Sequence, residues 1–396
     1  MAEKVSISKV IAFRLAANGL TERADADGLI SAAGRCGVQN SPPGSALLAL
    51  HARVRDVTSD RVTAAVADDK TLLQTWSVRG APFYFPTADA AVFTTGVLPT
   101  TEAAMRRFVR GAEQSIDRLD MPLTDVVELC ATDIVDVLAG QRLAIDRLGE
   151  QLADRVSRRL TAKQRRIWNE EGPHAAGQPI GQAVVHFCLR ILTLQQVVCF
   201  APRDGNTAPF VLVDEWLDQP IPDTEPQDAR AELVRRYLHC YGPSTKADFA
   251  AWLGVRAGDA TPWWDSVTSE LTEVEFDGTA WILTTDVDEL RSSPQAKGVR
   301  LLPPRDPYTQ LRDRETIVDK RFRRDVWKTV GEPGAVLADG TIVGVWRPRK
   351  KGTTLTLTVS TFTSLSSRHR TALRAEAEGI APLRSASSVA VEFETF

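Results

Sequence analysis

A rhythm that recurs three times constrains this chain most: runs with helical apolar spacing give way to two short strands joined by a tight turn. In the first copy, residues 8–19, 25–35, 44–55 and 61–69 read as helices. Leu47, Leu50 and Val54 lie on one face of the third. Residues 72–78 and 83–85 follow as strands around the turn Arg79-Gly80-Ala81-Pro82. In the second copy, helices at 119–138, 143–168 and 180–194 precede strands at 197–200 and 210–213, turning through Arg203-Asp204-Gly205-Asn206. In the third, helices at 228–241, 245–253 and 262–271 precede strands at 272–276 and 280–284 around Asp277-Gly278. A two-stranded hairpin cannot stand alone in water and must lean on its helices. Helices closed by such a hairpin are the plan of a winged helix. The expected fold class is therefore mixed α and β, mainly helical, with three tandem winged-helix domains at 1–115, 116–222 and 223–294. The proline-rich, acidic stretch 218–226 reads as a linker.

From residue 299 the pattern changes to short alternating strands at 299–302, 335–338, 342–347 and 354–360. Asp339-Gly340 is a strong hairpin turn. A second turn, Arg349-Lys350-Lys351-Gly352, carries charge, and residues 366–378 form a terminal helix. The span 295–396 is expected to be a small β-barrel or sheet domain.

Composition excludes several classes. Of 396 residues, 43% are apolar and 25% charged, with a net charge of −3. No apolar run approaches the ~18–20 residues that span a bilayer. The opening Met-Ala-Glu-Lys-Val-Ser-Ile lacks a signal-peptide plan, so a cytoplasmic location is expected. The five cysteines (36, 130, 188, 199 and 240) are odd in number and widely spaced, which fits buried thiols in a reducing compartment. Five scattered histidines argue against a metal site. The sequence contains no glycine-rich phosphate loop, His-Glu-x-x-His or Gly-x-Ser-x-Gly. No cofactor is expected. The acidic total confines any basic surface to local clusters, at 155–166, 312–324 and 347–351.

One polar stretch interrupts the first copy: Gly37-Val38-Gln39-Asn40-Ser41-Pro42-Pro43. The prolines force the residues before them into extended backbone, which points Gln39 and Ser41 one way and Asn40 the other. A Gln amide can orient a water without changing charge. Ser41 has a competing structural reading as the N-cap of the following helix, with its hydroxyl serving Gly44 because Pro43 has no N–H.

The stretch Gly37–Val54 resembles the signature of the tandem winged-helix family that includes the bacterial DNA glycosylases AlkZ and YcaQ. Three further stretches fit the same family in order. They are Trp76-Ser77-Val78-Arg79-Gly80-Ala81-Pro82-Phe83, then Tyr237 with Tyr241-Gly242-Pro243-Ser244-Thr245 and Asp248-Phe249, then Asp306-Pro307-Tyr308-Thr309-Gln310-Leu311-Arg312-Asp313-Arg314. The resemblance implies three winged helices and a C-terminal β-barrel in a C-shaped DNA clamp, working as a monomer on double-stranded DNA that carries an alkylated purine. It implies a monofunctional glycosylase using a Gln-x-Gln or Gln-x-Asp motif. Gln39 matches the first position; Ser41, at the second, departs from both versions. Asn40 is an alternative second contact.

Alkylation at guanine N7 makes the base a good leaving group, so a neutral motif suits a bulky, strongly destabilised N7 adduct. The family geometry also nominates DNA contacts at Arg347, Arg349, Lys350 and Lys351, and at Arg79, Arg312 and Arg314. His51, Trp76 and Tyr308 would either line the cleft or pack. The rival from another class is a winged-helix regulator that binds DNA without chemistry.

Overall fold

The computed structural model describes residues 2–205 and 207–395. Asn206, at the expected turn of the second hairpin, lies outside them.

Each expected hairpin forms. Leu72–Trp76 pairs antiparallel with Pro82–Pro86, Val198–Phe200 with Phe210–Leu212, and Leu271–Glu275 with Thr279–Leu283. Two of the three acquire a strand with no signal of its own in the sequence. Val38–Gln39 joins Pro82–Pro86, and Glu3–Lys4 pairs in parallel with Leu271–Glu275. Two residues are too few for an alternation pattern, so only tertiary pairing reveals them.

Two long helical runs differ from expectation. The run expected at 119–138 forms from Leu123 to Leu138, and Leu119 instead ends a separate helix, Glu113–Leu119, because Asp120 takes a left-handed φ of 54° and Pro122 follows. The run at 143–168 divides into Ile145–Ser157 and Ala162–Trp168, where Thr161 and Gln164 form a reciprocal capping box.

The C-terminal domain corrects the barrel expectation. Its five strands form an open sheet in the order Ser388–Thr395, Thr354–Thr361, Thr341–Lys351, Gly334–Ala338, Val299–Leu302. The helix Ser367–Leu383 is the crossover that makes the first two strands parallel. It lays Leu373, Ala377 and Ile380 over Leu355, Leu357 and Val359. A helix on that face buries what a closed barrel would bury inside itself, so the sheet keeps two edges.

The segments are held together by buried guanidinium groups. Arg14, on the helix Ile7–Ala17, is fully buried and donates to the carbonyls of Gly242 (3.1 Å) and Pro243 (2.8 Å) and to Asp313 (2.7 Å). Arg53 meets Asp306 through two hydrogen bonds of 2.8 Å, with neither side chain more than 2% exposed. All five cysteines are buried and unpaired. Among the described residues, no helix is long and apolar enough to cross a membrane.

Candidate active site

The family-like stretches converge where the first hairpin meets the rest of the chain. Strand pairing sets Gln39 opposite Phe83, and the Asn40 N–H donates to the Pro82 carbonyl at 2.7 Å. Gln39 is buried, at 2% exposure. Its Oε1 accepts from Arg79 Nη2 at 3.3 Å, while its Nε2 is buried without a hydrogen-bond partner. An amide with two donors idle in a buried setting is costly unless something polar arrives.

Arg79 is the hub. It sits in the left-handed region (φ 59°) of the turn Val78–Gly80. It donates to the Trp252 carbonyl and, at 3.0 Å, to Gln310 Oε1. Gln310 comes from the turn Pro307–Gln310, whose Asp306 is the partner of Arg53. Arg53 in turn stands at the end of the helix Ser45–Arg53, which follows the Gln39 stretch. The motifs therefore form a closed chain of contacts: Gln39 to Arg79, to Gln310, and back through Asp306 and Arg53. Burial, with the neighbouring charge of Arg312 second, pushes the Arg79 pKa down to about 9.

The helix cap belongs to Asn40 rather than Ser41. Asn40 Oδ1 accepts from the N–H of Gly44 (2.8 Å) and Ala46 (3.4 Å), the first free donors of the helix Ser45–Arg53. Gly44 takes a left-handed φ of 89°, which lets the chain turn back under the Asn40 amide. Ser41 is half-buried, and its hydroxyl makes no hydrogen bond among the described residues. This corrects the N-cap reading of Ser41, and it gives the Oδ1 of Asn40, the alternative second contact, a structural task.

The expected cleft-lining residues disperse. Tyr308 is 1% exposed and belongs to the main core, with burial raising its pKa, so it presents nothing to a duplex. His51 packs on the terminal helix, where a Cβ on Gly379 would lie 3.0 Å from its Nε2. Burial, with Arg23 next, lowers its pKa. Trp76 stands edge-on to Phe200 and Phe210 (5.2 and 5.3 Å), bridging the first two hairpins.

The expected DNA contacts fall into two groups. Arg347, Arg349, Lys350 and Lys351 lie along the strand Thr341–Lys351, which runs to the turn at Gly352, longer than the expected 342–347. None is ion-paired among the described residues. Arg312 and Arg314 lie at the junction instead. Arg314 stacks on Trp327 at 4.6 Å and helps line a 510 Å³ cavity with Lys320, Arg321, Arg323 and Arg324. Glu332 stands among Arg305 (3.2 Å), Arg314 and Arg79, yet burial dominates and raises its pKa.

Sequence reasoning missed Gln310 as a support for Arg79, and Arg190 and Arg110 as neighbours of Arg79. Arg190 had a signal: it is the single Arg, Lys, Asp or Glu in the helix Ile180–Leu194. A lone cation on an otherwise apolar helix is conspicuous.

The profile of the DNA glycosylase AlkZ-like family matches residues 33–383. An interstrand DNA cross-link repair glycosylase of Streptomyces sahachiroi is 26% identical over 358 residues, covering 87% of this chain and 88% of that protein. The solved structure of the Streptomyces sahachiroi DNA glycosylase AlkZ matches with a TM-score of 0.76 at 24% identity, over 98% of this chain and all of that one. The chain belongs to the AlkZ-like family of DNA glycosylases.

Proposed function

We propose that this enzyme hydrolyses the N-glycosidic bond of N7-alkylated guanine, with bulky, strongly destabilising adducts as its preferred substrates. The observation that carries this is the Gln39 amide: buried, held by Arg79 on one oxygen lone pair, and otherwise unengaged. Such an amide can fix a water beneath the sugar. The C1′–N9 bond breaks with its electron pair going to the purine, which loses its positive charge. The water oxygen bonds to C1′ and releases its proton to solvent. Neither Gln39 nor Ser41 is basic, so the motif orients the water without deprotonating it. That limits the enzyme to bases that leave readily. Ser41, free of any capping duty, is the second contact.

The three hairpins with their helices act as tandem winged helices in a C-shaped clamp, and the cations Arg347, Arg349, Lys350 and Lys351 reach the duplex from the long C-terminal hairpin. The Streptomyces sahachiroi relative is named for interstrand cross-link repair, and a cross-link joined through a purine nitrogen is a bulky adduct of this kind.

The test is excision from a duplex with one N7-methylguanine or a bulkier N7 adduct, read as alkali-labile strand breaks. Gln39→Ala should slow single-turnover excision by about 10²–10³-fold, the usual cost of losing one oriented polar group, with duplex affinity nearly unchanged. Excision by Gln39→Ala at the wild-type rate refutes the role. No strand break with any N7 adduct refutes the substrate.

A further inference from the structure

Arg79 also borders a cavity of about 330 Å³ that Gln39 does not line, where it meets three further guanidinium groups: Arg110, Arg190 and Arg312. Among the described residues, no carboxylate lines it. The cavity opens where distant parts of the chain meet. Arg79 comes from the first hairpin, Arg110 from the turn after the helix Glu102–Phe108, Arg190 from the helix Ile180–Leu194, and Arg312 from the segment after Pro307–Gln310. Gly80 and Gly254 complete the wall with backbone alone. A Cβ on Gly254 would come within 3.0 Å of the Arg79 side chain and 3.2 Å of its Cα.

Many arginines elsewhere in this chain meet a carboxylate. Arg106, Arg107, Arg118, Arg155, Arg235 and Arg236 all sit in ion pairs. Arg110, Arg190 and Arg312 make neither an ion pair nor a side-chain hydrogen bond among the described residues. The Nε atoms of Arg190 and Arg312 are buried and unpartnered. Arg190 is held instead by the rings of Phe187 and Trp76, 5.5 and 5.8 Å away. Burial lowers the pKa of both residues. Cations gathered without a counter-charge repel one another, and planar guanidinium forks match a tetrahedral oxyanion in pairs.

We propose that this cavity is a phosphate-binding site that grips one backbone phosphodiester of the damaged strand, adjacent to the reacting nucleotide. The placement rests on Gln39 as the water-orienting residue, since Arg79 both bonds Gln39 and lines the cavity. It also resolves an electrostatic conflict. A sugar acquiring positive charge would be opposed by a cluster of bare cations, and a strand phosphate seated among them cancels that opposition. The cavity thus couples correct seating of the strand to a competent site.

Duplexes bearing a non-hydrolysable abasic analogue provide the test, each with a single methylphosphonate at one of the linkages flanking the analogue. In the wild type, one linkage should weaken binding by at least about tenfold. In Arg190→Gln/Arg312→Gln the same linkage should cause no further loss, and the slope of log affinity against log salt should fall by about one. Arg110→Gln, at an exposed position, should show a weaker form of both effects and covers the case in which the double variant fails to fold. A wild type indifferent to every methylphosphonate overturns the proposal. So does an equal loss in wild type and variant. Inorganic phosphate at constant ionic strength addresses the other source of the group: thermal stabilisation of the wild type by phosphate, with no methylphosphonate effect, would make the cavity a site for free phosphate and refute the strand assignment. These readouts require no excision, so they stand or fall separately from the glycosylase substrate.

Discussion

Asn40 and Ser41 are neighbours whose substitutions should part company in hydrogen exchange. Asn40 Oδ1 serves the N–H groups of Gly44 and Ala46 at 2.8 and 3.4 Å, and Ala46 is buried with no access to water. Removing a helix-capping side chain costs about 1 kcal/mol, and a buried donor left unsatisfied can raise the total to about 2 kcal/mol. Local opening at the start of the helix Ser45–Arg53 should become roughly 5–30 times more frequent in Asn40→Ala. Hydrogen exchange followed by mass spectrometry on peptides covering residues 40–48 reads this directly, without requiring the whole chain to unfold in one step. Ser41→Ala should leave exchange unchanged, because its hydroxyl makes no hydrogen bond among the described residues, yet slow excision about tenfold through loss of the second contact to water. Asn40→Ala should also slow excision, through displacement of the strand that carries Gln39. Equal exchange in the two variants, or faster exchange in Ser41→Ala alone, would refute the assignment of the cap.

Two other expectations concern stability. Arg53→Met strands the Asp306 carboxylate in a fully buried position, so chemical denaturation should show a loss of about 3–5 kcal/mol, and Arg53→Met/Asp306→Leu should recover most of it; a loss under about 1 kcal/mol contradicts the clamp. His239 has its pKa raised, mainly by the hydrogen bond between its Nδ1 and Asp286 at 3.0 Å, against the opposing effect of burial. A raised folded-state pKa stabilises fully below the unfolded value of 6.5 and is lost as pH climbs through the folded value. The stability gap between wild type and His239→Gln should therefore be widest in mild acid and shrink above neutrality, and a gap that widens with pH refutes the pairing.

Much of the architecture was legible because its signals are local. Asp277-Gly278 and Asp339-Gly340 mark turns in which all four residues take positive φ, and the helix at 180–194 is found residue for residue. The failures have a common cause. The strands Glu3–Lys4 and Val38–Gln39 exist only through partners elsewhere in the chain, and the sheet stays open because a crossover helix covers it. At the site, Gln39 could be singled out as an amide without structural work, but the cap could not be assigned. Proline at 43 pointed to Ser41, whereas the left-handed Gly44 hands the helix start to Asn40. Arg79 was read as a cation for DNA, and it is first a brace between Gln39, Trp252 and Gln310.

The burial of Arg14 bears on how the protein is made. Its partner Asp313 lies 299 residues further along the chain. A ribosome adding roughly 5–20 residues per second needs about 15–60 s to cover that distance. Throughout that interval the first helix carries a guanidinium destined for a fully buried position whose counter-charge has not been synthesised. The ion pair that completes the burial of Arg14 can therefore close only late in synthesis, after residue 313 has been added.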